Sequence, residues 1–123
     1  MARILVVDDD PNIRQMLRSM LEREGYDVDV AANGRECMNF FRETPAELVI
    51  ADIIMPEQEG IETIRQLRAE YPGCRIIAIS GGGRIGPSDY LNMAKLLGAS
   101  HTLAKPFDRS QLILAVREAL ALN

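Results

Sequence analysis

The stretch Ile4-Leu5-Val6-Val7-Asp8-Asp9-Asp10 decides the fold, because four apolar residues run directly into three carboxylates. A short, β-branched apolar run that ends in an abrupt polarity change reads as a strand buried on both faces. Strands of that kind belong to parallel sheets, whose ligands gather outside the carboxyl ends of the strands. The acidic cluster is therefore predicted at the mouth of a site. Pro11 follows at once, suited to the first position of a helix, with Asp10 as its N-cap. Asp10 thus has a structural task, whereas Asp8 and Asp9 are left without one.

The same pattern recurs along the chain. Leu48-Val49-Ile50-Ala51 ends on Asp52, Ile76-Ile77-Ala78-Ile79 ends on Ser80, and a short run from His101 to Ala104 ends on Lys105. Helical spacing separates the runs. Ile13, Leu17, Met20 and Leu21 precede Gly25; Cys37, Phe40 and Phe41 follow an Asn33–Glu36 capping box; Ile61, Ile64 and Leu67 lead to Tyr71-Pro72-Gly73. Ser88 caps a fourth helix bearing Leu91, Ala94 and Leu97, and Asp108 with Gln111 boxes a fifth that runs to about Leu120. Asp27-Val28-Asp29-Val30 alternates polar and apolar, as a half-exposed edge strand does.

Five strand–helix repeats of roughly 20–25 residues, joined by right-handed crossovers, give an α/β doubly wound sheet covered on both faces. With the alternating strand at an edge, the five parallel strands take the flavodoxin-like order 2-1-3-4-5, flanked by five helices. The order reverses between the strands that end on Asp8-Asp9 and on Asp52. Asp8, Asp9, Asp52, Ser80 and Lys105 are thereby predicted at one rim.

Carboxylates crowded at such a rim repel. At ~5 Å and an effective dielectric of ~20, each pair costs about 3 kcal/mol. A divalent cation relieves that repulsion, and a few hard oxygen ligands suit Mg²⁺, which keeps several of its waters. An acidic pocket with a lysine and a hydroxyl is what a transferred phosphoryl group needs. Taken singly, the acidic run also suits a solvated helix N-terminus, Asp52 a turn cap, Ser80 a loop and Lys105 an exposed surface. Their convergence is what points to chemistry.

Composition excludes other classes. The chain has 123 residues, enough for one core, with 47% hydrophobic and 26% charged residues and a net charge of −4. No basic run interleaved with aromatics suggests nucleic acid, and no apolar stretch approaches the ~20 residues of a membrane span. Cys37 and Cys74 lack metal-site spacing and read as reduced packing residues of a cytoplasmic protein.

Val6-Val7-Asp8-Asp9-Asp10, Ala51-Asp52-Ile53-Ile54-Met55-Pro56, Ile79-Ser80-Gly81 and Ala104-Lys105-Pro106-Phe107 together resemble the receiver domain of two-component response regulators, including the chemotaxis receivers. The resemblance covers residues 1–123 and implies a single receiver domain with no output domain. It implies that Asp52 accepts a phosphoryl group from a histidine kinase or phosphotransfer protein. Asp9 and Asp52 would hold Mg²⁺ directly with the Ile54 carbonyl, and Asp8 largely through water. Ser80 and the Gly81 amide would bind the phosphoryl oxygens, Lys105 would pair with the aspartyl phosphate, and Lys105-Pro106 resembles a bond often cis in this family. Output would be a changed surface on the last two helices and last strand, offered to a protein partner or a second copy. Such a protein is a switch rather than a turnover enzyme. With only Ile54 and Gly82 beside the phosphate, nothing positions water, and slow loss of the group is expected.

Two departures stand out. Receivers commonly carry an aromatic three residues before the lysine; here that residue is Thr102. His101 lies one step along the strand and so is predicted on the other side of the sheet, which leaves Tyr90 as a possible substitute. The segment from Gly81 to Pro87 makes the interval between Ser80 and Lys105 longer than usual, and its three consecutive glycines predict a mobile loop. A haloacid-dehalogenase-type phosphohydrolase shares a strand-end Asp, and Asp8-x-Asp10 mimics its opening motif. Such an enzyme needs a further acidic pair after its lysine, where only Phe107-Asp108 stands.

Overall fold

The computed structural model describes residues 2–52, 59–80 and 98–121. In chain order these form β1 (Arg3–Val7), α1 (Pro11–Arg23), β2 (Asp27–Ala31), α2 (Gly34–Glu43), β3 (Leu48–Asp52), α3 (Glu59–Glu70), β4 (Arg75–Ser80), β5 (His101–Ala104) and α4 (Arg109–Leu120). All strand pairs are parallel, in the order β2-β1-β3-β4-β5. The predicted order and the edge position of the alternating strand are thus both present. Four helices, not five, lie among the described residues. The helix expected from Ser88, the glycine-rich stretch 81–87, Tyr90, Gly82, Ile54 and Gly81 all fall outside them.

Alternation along each buried strand builds two cores. Leu5, Val7, Val49, Ala51, Ile76 and Ala78 face α2 and α3, whereas Ile4, Val6, Leu48, Ile50, Ile77 and Ile79 face α1 and α4. Every one of these residues is buried. A central parallel strand needs apolar side chains on both faces, and the unbroken aliphatic runs supply them.

Helix ends follow local chemistry. Asp10 caps α1 by accepting from the Asn12 amide at 2.8 Å, with Pro11 at the first turn. At the other end the Tyr26 amide reaches the Leu21 carbonyl and the Gly25 amide reaches Glu22, a Schellman turn that requires the positive φ of Gly25 (92°). Asp108 and Gln111 form the expected capping box on α4, each bond 2.8 Å. At α2, Asn33 caps the Glu36 amide at 2.9 Å, but the Glu36 carboxylate reaches back to the Ala32 amide instead of closing the box on Asn33.

One expected core residue is misplaced. Phe40 was predicted beside Cys37 and Phe41 on the buried stripe of α2, yet it is 39% exposed, and Met38 is buried instead. At ~100° per residue, Gly34, Cys37, Met38 and Phe41 share one stripe and Phe40 falls outside it. Phe41 packs on Tyr71 with ring centroids 4.5 Å apart. Leu114 of α4 is likewise exposed (59%), whereas its neighbour Ile113 is buried. Phe41→Ala is therefore expected to lower the unfolding free energy by about 3–5 kcal/mol, and Phe40→Ala by about 1 kcal/mol or less. Denaturant titration of the two variants checks this; equal losses would contradict the register of α2.

Candidate phosphoryl and metal site

Register brings the strand ends to one level. Val7 is opposite Ala51, Asp52 is opposite Ile79, and Ser80 is opposite Ala104, so that Asp8, Asp52, Ser80 and Lys105 all stand at the carboxyl edge. Parity sharpens the placement. Asp8 continues the series Ile4, Val6 and Asp52 continues Leu48, Ile50, and both series face α1 and α4. Because side chains alternate with a period of two, the two carboxylates emerge on the same side of the sheet.

They are also dry. Asp8 is 1% exposed and Asp52 4%. Lys105 is the described cation that reaches both, its Nζ lying 3.0 Å from Asp52 Oδ2 and 3.6 Å from Asp8 Oδ2. The Lys105-Pro106 bond that delivers it is cis, as the resemblance implies. Burial pulls the Lys105 ammonium down, but the hydrogen bond to Asp52 and the charges of Asp52 and Asp8 outweigh it and hold it above the usual lysine range. Burial acts on Asp8 in the opposite sense. Loss of solvent pushes its carboxyl up to about 6, the Asp10 amide donating to Oδ1 opposes this, and the Asp52 charge adds to it.

Asp9 completes the group from the exposed side. One oxygen each from Asp8, Asp9 and Asp52 lie within 4.8 Å of one another. With Lys105 beside them, the ionised set carries two net negative charges. Among the described residues Asp8 Oδ2 is buried without a hydrogen-bond partner, the Lys105 ammonium standing 3.6 Å away, and buried acceptors normally find a partner. A hard divalent cation fits both facts. Asp8, Asp9 and Asp52 come together as the sequence predicted. Ser80 is at the expected strand end, whereas Gly81 and Ile54 lie outside the described residues.

His101 stands apart from this group. Its Nε2 is 3.1 Å from Glu118 Oε2 on α4, on the sheet face opposite to that of Thr102, as the one-residue step requires. Sequence reasoning missed Arg14, whose Nη1 donates to the Asp8 carbonyl at 2.8 Å. Its only signal was a cation in the first turn of the helix that follows the acidic run.

The family model described as response regulator receiver domain matches residues 4–117. Sporulation initiation phosphotransferase F of Bacillus subtilis is 32% identical over 121 residues, covering 98% of this chain and 95% of that protein. Chemotaxis protein CheY of Thermotoga maritima is 33% identical over 117 residues, covering 94% and 95%. Other relatives are longer: the chain spans 26% of the Regulatory protein AtoC of Escherichia coli, at 32% identity. Among solved structures, the receiver domain of NtrX from Brucella abortus aligns with a TM-score of 0.91 at 27% identity, covering 98% of this chain and 99% of that one.

Asp8 gives the site a measurable cost. Its folded carboxyl holds a proton more tightly than an unfolded aspartate does, so the ionised form weighs against folding. That penalty is absent below about pH 4, grows to about pH 6 and is complete above it. A rise from 3.8 to about 6 corresponds to about 3 kcal/mol. Without divalent ions, the advantage of Asp8→Asn over the wild type is expected to grow by about 2–3 kcal/mol between pH 4 and 7.5, as followed by urea unfolding. A difference that stays flat with pH would contradict a strained Asp8.

Proposed function

This chain belongs to the response regulator receiver domain family, and from that premise we propose that it is a phosphorylation-dependent switch of a two-component phosphorelay, with Asp52 as the phosphoacceptor. The observation that carries this reading is the position of Asp52. It is buried, bound to Lys105 at 3.0 Å, and shares the carboxylate cluster with Asp8 and Asp9.

The donor is a phosphohistidine on a sensor kinase or a phosphotransfer protein. An Asp52 carboxylate oxygen attacks phosphorus, the new O–P bond forms as the N–P bond breaks, and the donor imidazole leaves. Lys105 now neutralises Asp52, and its ammonium is within reach of an oxygen of the incoming group. As the group arrives, that ammonium passes from the carboxylate to the phosphoryl oxygens. The Ser80 hydroxyl and the Gly81 amide serve the remaining oxygens. Asp9 and Asp52, with the Ile54 carbonyl, would hold Mg²⁺, and Asp8 would do so largely through water. Bound there, the ion would offset the charge that develops on the phosphoryl oxygens.

The protein acts as a substrate and switch rather than as a turnover enzyme. The altered surface includes β5 and α4, offered to a downstream protein or to a second copy. With a net charge of −4, these residues are not proposed to contact nucleic acid. Among the described residues no helix is long and apolar enough to cross a membrane. The free, buried Cys37 and Cys74 suit a reducing compartment, and the proposal places the protein in the cytoplasm.

Incubation with a small acyl phosphate and Mg²⁺ is the test. One acid-labile phosphoryl group per chain is expected by intact mass, lost in Asp52→Asn and on chelation of the ion. Continuous turnover of the donor, or an unchanged mass gain in Asp52→Asn, would overturn the reading.

A further inference from the structure

We propose that Arg14 is a positioning residue for the metal site, acting through the backbone carbonyl of Asp8 to aim the Asp9 carboxylate. The inference rests on the divalent-ion reading of that site and adds to it a residue outside the acidic cluster.

The Asp8 amide donates to the Ala31 carbonyl at 3.1 Å. In a parallel ladder the N–H and C=O of one residue address the same neighbouring strand, so the Asp8 carbonyl also points toward β2. That strand has ended at Ala31, and among the described hydrogen bonds no backbone amide reaches the Asp8 oxygen. The carbonyl is thus left beyond the sheet, and buried backbone acceptors require a partner. Arg14 supplies it from the first turn of α1, its Nη1 reaching the oxygen at 2.8 Å from a half-buried position.

The consequence falls on Asp9. The Asp8 carbonyl belongs to the peptide unit that carries the Asp9 amide, so fixing that oxygen fixes the plane from which Asp9 departs. Asp8 itself is held independently, by burial and by the Asp10 amide on Oδ1. Asp10 is held by its cap on Asn12. Asp9 is exposed and shows no comparable side-chain anchor among the described hydrogen bonds. It is the member of the cluster whose direction depends most on the backbone, and Arg14 is what steadies that backbone.

Charge and geometry predict opposite signs, which makes the proposal testable. A guanidinium near an acidic cluster opposes a divalent cation, so removing it on charge grounds alone would tighten binding. If Arg14 positions Asp9, removing it weakens binding. Outer groups that orient metal ligands are typically worth 10–100-fold in affinity, and one hydrogen bond to the backbone suggests the low end.

The experiment is Mg²⁺ titration by calorimetry on the full chain, with thermal unfolding in chelator as a control for folding. Arg14→Gln is expected to bind Mg²⁺ about tenfold more weakly than the wild type. Arg14→Lys, which keeps the charge and one type of donor, is expected to recover part of the loss. The Asp9 amide resonance should shift in metal-free Arg14→Gln. Equal or tighter Mg²⁺ binding by Arg14→Gln overturns the role of Arg14 while leaving the metal site intact. A wild type that binds no Mg²⁺ overturns the parent reading and this one with it.

Discussion

Two carboxylates at the ends of adjacent buried strands cannot both stay ionised out of water unless something positive stands between them. Asp8 and Asp52 are in that situation, and the structure answers with Lys105, which is 3.0 Å from one and 3.6 Å from the other. One ammonium is not enough. Among the described residues Asp8 keeps a buried oxygen without a hydrogen bond, and its carboxyl is driven up to about 6 by burial. The site is thus a store of unfavourable charge that a proton, a divalent cation or a rearranged lysine can discharge. A phosphoryl group needs the same surroundings: cations for its oxygens and a carboxylate for its phosphorus.

The fold exists around that edge in a specific sense. Aliphatic burial on both faces makes the sheet rigid, and strand parity then sends Asp8 and Asp52 to the same side. The turn after β1 converts a strand end into a helix cap within three residues, using Asp10, Pro11 and the Arg14 guanidinium. On the far side, α4 covers β4 and β5 and is tied to α1 by Arg109 and Arg117, which both reach Glu24, at 2.7 and 3.2 Å. These exposed ion pairs contribute little stability. They connect the helix after Lys105 to the helix after Asp8, so both flanks of the site share one face of the sheet.

Much of this was legible in the residues. β1, β3 and β4 announced themselves as aliphatic runs, and Asp8, Asp52 and Ser80 as the polar groups that ended them. The edge position of β2 followed from Asp27 and Asp29 alternating with Val28 and Val30. What could not be read depended on angles and on distant partners. Phe40 and Phe41 are adjacent, and only the helical phase separates an exposed ring from a buried one. Glu36 carried a capping-box spacing, and Asn33 does cap its amide, but the Glu36 carboxylate bonds the Ala32 amide one residue before the cap. The bond from Arg14 to the Asp8 carbonyl requires knowing where β2 stops, which spacing does not encode. Thr102, where an aromatic was expected, was recognisable as a departure, and His101 took the predicted opposite face and paired with Glu118.

The central question is whether the acidic cluster shares one ion. A crystal structure grown with Mg²⁺ measures this directly. The expected result is a single ion at about 2.0–2.1 Å from an oxygen of Asp9 and one of Asp52, with water between it and Asp8. An ion bound elsewhere, or a cluster that binds none while Lys105 alone bridges Asp8 and Asp52, would contradict it.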